Sequence, residues 1–300
     1  MFGSPRTGST WLLRLLTFPL RLTLDRPSGS VMPDKTPVRP FAVPINEPYL
    51  PHHLTPTVDR FAEPGAANFV LNPWRTSDPN YFFADAFEAS WRPEVRRLIL
   101  ARLHAQAQLA AEEHSLDRPL VVVKEPNGSH GAEMVMSTLS RSRMIFQLRD
   151  GRDVVDSLLH ATSDGGWLAG MAQVDSQAQR LDFLRDHSRL WVNRTLAVQR
   201  AYDAHPPELR LIVRYEDLRE NTVGTLHRII DWLGVRRAQD ELEAAASALA
   251  FESYPADAKG PGKALRAASP GLWRENMSEA EREVVNETMG ETIRQLGYEP

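Results

Sequence analysis

Three short apolar runs constrain the fold most: Leu120-Val121-Val122-Val123, Met144-Ile145-Phe146-Gln147-Leu148 and Leu209-Arg210-Leu211-Ile212-Val213-Arg214-Tyr215. Each has strand length, gives way to charged residues at its C-terminal end, and is followed by a helix-forming segment. Continuous apolar runs suit parallel strands covered on both faces, and the repeated order of strand, polar loop and helix belongs to a doubly wound sheet. The expected fold is therefore α/β, a three-layer parallel sheet flanked by helices. Ligands of such folds gather at the carboxyl ends of the strands. That rule directs attention to Lys124-Glu125-Pro126-Asn127 and to Arg149-Asp150-Gly151-Arg152-Asp153.

The stretch Gly3-Ser4-Pro5-Arg6-Thr7-Gly8-Ser9-Thr10-Trp11 precedes another apolar segment, expected to be helical from Trp11 to Leu24 unless Pro19 ends it. Gly3 and Gly8 allow close approach to an anion, Arg6 offers a cationic fork, and the first N–H groups of the helix attract negative charge. Two readings stay open at this level, a phosphate cradle or a Ser/Thr-capped surface helix. The spacing is neither G-x-x-x-x-G-K-S/T nor G-x-G-x-x-G.

Residues 25–79 are rich in proline, without periodic apolar runs, and read as an excursion forming a lid or a substrate wall. Inside it, Glu47, His52 and His53 lie among apolar and aromatic residues. Asn80 to His114 is helical in character, with Pro93 expected to begin its second helix and the aromatic cluster at Tyr81, Phe82, Phe83, Phe87 and Trp91 expected to pack. A long amphipathic helix is expected from Ser176 to Ala204, and a final one from Ser278, where Glu281 completes capping-box spacing. Residues 251–270, carrying Lys263 and Arg266, read as a mobile basic loop.

Arg149 and Ser157 can meet on one side of a strand–loop–helix unit and hold a second phosphate-like group. The alternative is an arginine paired with Asp150 or Asp153 and a serine bonded to its own helix. Lys124 can stabilise developing negative charge or simply pair with Glu125 at a strand exit.

Composition removes several classes. The chain has no cysteine, so disulfides, thiol nucleophiles and cysteine-ligated metals are excluded. His52-His53, His130 and His160 do not form a metal set, and no metal is expected. A net charge of −4 argues against a general nucleic-acid binder. No apolar run is long enough to span a bilayer, and no leader precedes the glycine loop, so the chain is read as a soluble, cytoplasmic protein.

Together these residues carry a family resemblance. Gly3 to Trp11 resembles the 5′-phosphosulfate loop of sulfotransferases that use 3′-phosphoadenosine 5′-phosphosulfate (PAPS), and Phe146 to Leu158 resembles their 3′-phosphate element. Val213-Arg214-Tyr215-Glu216-Asp217-Leu218 and Gly271-Leu272-Trp273-Arg274 follow in the family's order. The resemblance implies one P-loop-like nucleotide-binding sulfotransferase domain over residues 1–300, with the excursion on the substrate side and the late loop covering the cofactor.

It further implies that Arg6, Thr7, Gly8, Ser9 and Thr10 hold the 5′-phosphosulfate. Trp11 and Tyr215 lie near the adenine, Arg149 and Ser157 on the 3′-phosphate, and Lys263 and Arg266 close over it. Arg6 stands where lysine is usual in the cytosolic branch. That branch also places a histidine base two residues after the strand-end lysine, where this chain has Pro126. Ile45-Asn46-Glu47-Pro48 resembles the segment of bacterial and tyrosylprotein-type members whose glutamate is the base, so Glu47 is the expected base, with Glu125, His53 and His130 behind it. Arg6 and Lys124 are the expected electrostatic stabilisers.

The expected reaction is sulfuryl transfer to an acceptor hydroxyl or amine, releasing 3′-phosphoadenosine 5′-phosphate (PAP), without a metal. The expected acceptor is a small alcohol, phenol, lipid or glycolipid. Neither nucleic acid nor stable membrane insertion is expected, and homo-oligomerisation stays open. The competing classes are a small-molecule or nucleotide kinase and a noncatalytic nucleotide-binding module.

Overall fold

The computed structural model describes residues 1–19, 41–48, 50, 57–59, 69–71, 77–114 and 120–299. Helix α1 (Ser9–Thr17) follows the glycine loop, and strand β1 (Ala42–Asn46) pairs in parallel with β4 (Leu120–Lys124), Ala42 opposite Leu120 and Asn46 opposite Lys124. Strands β2 (Thr57–Asp59) and β3 (Phe69–Leu71) form a small antiparallel pair. Strands β5 (Met144–Leu148) and β6 (Arg210–Arg214) form the second parallel pair, with Leu148 opposite Arg214.

Where the sequence leads to a three-layer parallel sheet, the described residues form small two-stranded sheets within an α/β fold. Two residues join the parallel pairs. The Met1 amine donates to the Val123 carbonyl at 2.7 Å, and the Glu125 amide returns to the Met1 carbonyl at 2.9 Å. Phe2 donates to Ile145 and accepts from Gln147 at 3.0 and 2.8 Å. These bonds hang the glycine loop between β4 and β5.

Side-chain alternation then sorts β5 onto two cores. Met144, Phe146 and Leu148 join α2 (Glu88–His114), α3 (Ala132–Thr138), α4 (Gly151–Thr162), α5 (Gln177–Ala204) and α10 (Glu279–Gln295). Ile145 and Val213 face the other core, built from α1, α6 (Tyr215–Glu220), α7 (Thr222–Leu233) and α8 (Gln239–Ala248). The short α9 (Trp273–Asn276) packs on α4.

Several expectations are corrected. Part of the supposed excursion is strand β1, whose Pro44 lacks an amide donor, a lack that an edge strand tolerates. Helix α2 begins at Glu88 with Pro93 inside it, and Phe82 and Phe87 are exposed, although Phe83 packs edge-on against Trp91 at 5.4 Å. Residues 20–24, Tyr49, His52, His53, Phe61 and Trp74 lie outside the described residues. Among the described residues, no helix is long and apolar enough to cross a membrane.

Candidate functional site

The glycine loop is shaped by close packing. A Cβ on Gly3 would lie 2.2 Å from the Gln147 carbonyl oxygen, and one on Gly8 would lie 2.6 Å from the Tyr215 ring, at a φ of 76° that favours glycine. Thr7 is buried and donates its hydroxyl to the Ser4 carbonyl at 2.9 Å. Gln147, a fully buried polar residue in an otherwise apolar strand, donates to the Thr7 carbonyl at 2.9 Å. The loop thus opens α1 with Ser9 and Thr10 at its first turn, where backbone N–H groups lack intrahelical partners.

Arg6 adopts φ 69°, a left-handed conformation costing a non-glycine residue about 1–3 kcal/mol, and its carbonyl accepts from Arg149 at 2.9 Å. Its side chain crosses to α4, where Nε and Nη2 reach the Ser157 hydroxyl at 3.1 and 3.0 Å. Nη2 also donates to the Ala264 carbonyl of the late loop at 3.1 Å, and the guanidinium lies 5.6 Å from the Trp167 ring centre. The structure therefore joins Arg6, expected at the 5′ end, to Ser157, expected at the 3′ end.

Arg149 and Tyr215 meet because β5 and β6 are parallel neighbours: each residue follows the end of its strand. The guanidinium stacks over the phenol ring at 4.4 Å, and Tyr215 meets Trp11 edge-on at 6.3 Å. Trp11 is held from its other side, its indole N–H donating to the Leu249 carbonyl at 2.9 Å. Burial raises the Tyr215 phenol pKa and keeps it neutral, while Arg149 pulls the other way.

Burial, then the charges of Arg149 and Arg266, push the Arg6 pKa down to about 10. Arg6 stays protonated at neutral pH; the depression records its desolvation first and the like charges of Arg149 and Arg266 second. Arg266 is tied to Asp156, a buried carboxylate of α4 that also accepts from Asn276 at 3.0 Å. Asp153 lies 3.9 Å from Arg149, yet its oxygens are committed to the Gly271 and Trp273 amides at 2.7 and 3.4 Å. Arg149 keeps a buried Nε without a hydrogen-bond partner. Arg6 on the Ser157 hydroxyl, with the charges of Arg149 and Arg266 close enough to act on it, forms a partly desolvated and incompletely neutralised cationic group that suits a polyanionic ligand. Lys263 is exposed in its turn and donates its amide to Gly260.

A second cluster lies at the ends of β1 and β4. Lys124 is 2 % exposed; its ammonium lies 2.8 Å from the Thr10 hydroxyl and 2.7 Å from Glu47 Oε1. Glu47 has φ 50°, although a residue preceding proline favours extended backbone. Its amide is fixed by the Lys124 carbonyl at 2.8 Å, and Asn127 donates to its Oε2 at 2.8 Å. Strain held at a charged residue between two strand ends marks a place where geometry is maintained against local preference. Glu125 faces the other way. It is buried, accepts from the Leu50 amide at 2.9 Å, and lines an apolar cavity of about 590 Å³ with Val121, Val123, Leu103 and Met136. His130 is buried in the turn before α3. Among the described residues, no group of acidic or histidine side chains is arranged to hold a metal ion.

Comparison with known proteins matches the model of the Sulfotransferase family to residues 1–240. A crystal structure of mouse sulfotransferase SULT7A1 complexed with PAP is similar at 13% identity, with a TM-score of 0.50, covering 98% of this chain and 82% of that one. The sulfotransferase domain from the curacin biosynthetic pathway aligns at 15% identity and TM-score 0.45, over 99% of this chain and 96% of the other. That of the Synechococcus PCC 7002 olefin synthase aligns at 14% identity and TM-score 0.44, over 100% and 94%. No curated protein sequence matches significantly.

Proposed function

The chain belongs to the sulfotransferase family, and from that membership we propose that it transfers a sulfuryl group from PAPS to the hydroxyl of a small apolar acceptor, leaving PAP. The carrying observation is the convergence of Arg6, Arg149, Arg266 and Ser157 beside the amino end of α1, which supplies anion donors for two ends of one ligand. The solved relative with PAP bound agrees with this ligand.

In this reading the amides of Thr7, Gly8, Ser9 and Thr10 hold the 5′ group, with Lys124 beside Thr10. Arg149 and Ser157 hold the 3′-phosphate, and Trp11 and Tyr215 flank the adenine. Arg6 spans both anionic ends. Arg266 secures the late loop over them, Ala264 of that loop being already bonded to Arg6. Exposed Lys263 supplies a further charge at its rim. The domain reading goes with this: one domain over residues 1–300, residues 25–79 on the acceptor side and 251–270 covering the donor.

When bound, PAPS supplies the sulfuryl group and a good phosphate leaving group. Glu47 takes the proton from the acceptor hydroxyl as its oxygen attacks, which places this chain with glutamate-base members. Lys124 keeps that carboxylate aimed, and together with Arg6 stabilises negative charge gathering on the departing phosphate. Half-exposed Trp167, stacked near Arg6, supports an apolar alcohol, phenol or lipid acceptor. The test is titration calorimetry with PAP, paired with transfer from ³⁵S-labelled PAPS to a panel of phenols and long-chain alcohols. Binding and labelled product are expected; absence of PAP binding overturns the reading, and transfer from γ-labelled ATP instead would make it a kinase.

A further inference from the structure

Asn127 has no role in the chemistry described so far. It lies in the turn after β4, three residues beyond Lys124, and its amide donates to Glu47 Oε2 at 2.8 Å. Lys124 takes the opposite oxygen of the same carboxylate at 2.7 Å. Two side chains from one short segment therefore grip both oxygens of Glu47.

The turn carrying Asn127 is fixed. The fully buried Ser129 hydroxyl lies within hydrogen-bond distance of the Gly3 carbonyl at 2.6 Å, the Gly3 amide at 3.2 Å and the Pro126 carbonyl at 2.9 Å. Asn127 is thus referred to the same glycine loop that presents the helix terminus. One ion pair leaves a carboxylate free to turn about the axis of that contact; a second, directional bond from a planar amide fixes its plane. An amide carries no net charge, so what Asn127 adds at Glu47 is a single directional hydrogen bond, which orients the carboxylate. Lys124 and its partner Thr10 supply the charge side of the contact.

We infer that Asn127 is a positioning residue that sets the plane of the Glu47 carboxylate for removal of the acceptor proton. The inference rests on the reading of Glu47 as the base.

Kinetics of Asn127→Ala, Glu47→Gln and the double variant, with ³⁵S-labelled PAPS and 2-naphthol, test it together with PAP-free crystal structures of the wild type and Asn127→Ala. Asn127→Ala is expected to lower kcat about tenfold with KM and PAP affinity unchanged, and to cause no further loss in the Glu47→Gln background. Asn127→Asp, similar in shape, is expected to lose more, because it sets a second carboxylate against Glu47. In the crystal of Asn127→Ala, the Glu47 carboxylate is expected to keep Lys124 while losing its single orientation.

Equal losses in both backgrounds, an unchanged kcat, or an unchanged Glu47 orientation would overturn the inference while leaving the base in place. Full turnover of Glu47→Gln would remove the base reading itself, and the inference with it.

Discussion

The two charged clusters handle charge in opposite ways. At the β1–β4 end, Lys124 and Glu47 neutralise each other at 2.7 Å, and Asn127 holds the second oxygen of the same carboxylate. At the β5–β6 end, cations crowd. Arg266 has Asp156, Arg149 has a distant Asp153, and among the described residues Arg6 pairs with no carboxylate. In the proposed reading the self-neutral cluster moves a proton, whereas the under-neutralised one receives charge. On the proposed function, the contrast makes binding and turnover separable in this chain, which variants can check.

The sharpest break comes from Glu47→Gln. Turnover at saturating donor and acceptor is expected to fall by roughly 10²–10⁴-fold while PAP affinity stays within twofold. Removing the counter-charge of a buried lysine also destabilises the fold, by about 3 kcal/mol, so rates are compared well below the melting temperature. Undiminished turnover would dissolve the chemical half of the contrast.

Next in size is Arg149→Ala, expected to weaken PAP binding roughly 10–100-fold by calorimetry, the worth of a charge-assisted hydrogen bond. Unchanged affinity would show that the second anion does not sit there. PAP itself should stabilise the protein: at a hundred times its dissociation constant, about 2.7 kcal/mol and a melting shift of about 5 °C, much reduced in Arg6→Gln. A shift of equal size in that variant would mean that crowding at Arg6 is not relieved by the ligand.

The smallest effect is in pH. Raising the pH through about 10 removes the proton from Arg6 in the free protein, so PAP affinity is expected to weaken about twofold at pH 10 and further above it. That step should vanish in Arg6→Gln.

Much of the fold was legible because its signals are local. Strand β5 occupies Met144–Leu148 as its apolar run predicts, and the Ser278–Glu281 capping box forms at α10. The displaced element was β1, hidden because prolines at 40 and 44 interrupt the pattern and its pairing with β4 is tertiary. The site was legible as residue types but not as a constellation. Spacing places Arg149 and Ser157 on one unit; only the β5–β6 neighbourhood brings Tyr215 beneath Arg149, and only the Arg6 backbone conformation sends its side chain to Ser157. Gln147 did carry a sequence signal, an amide in an apolar strand. Asn127 was legible only as part of a strand-end segment, not as a partner of Glu47, and Trp167 carried no signal, because their value depends on partners 80 and 161 positions away.

The bond from Gln147 to Thr7 spans 140 positions, and that from Arg149 to Arg6 spans 143. The glycine loop therefore cannot acquire its shape from its own neighbourhood; it waits until half the chain has been brought back to it, against the entropy of closing so long a loop. Competence to bind an anion is therefore expected late on the folding pathway. During refolding, PAP binding should lag behind the appearance of helical signal, and the ligand would act as a reporter of completed assembly rather than as a template for it.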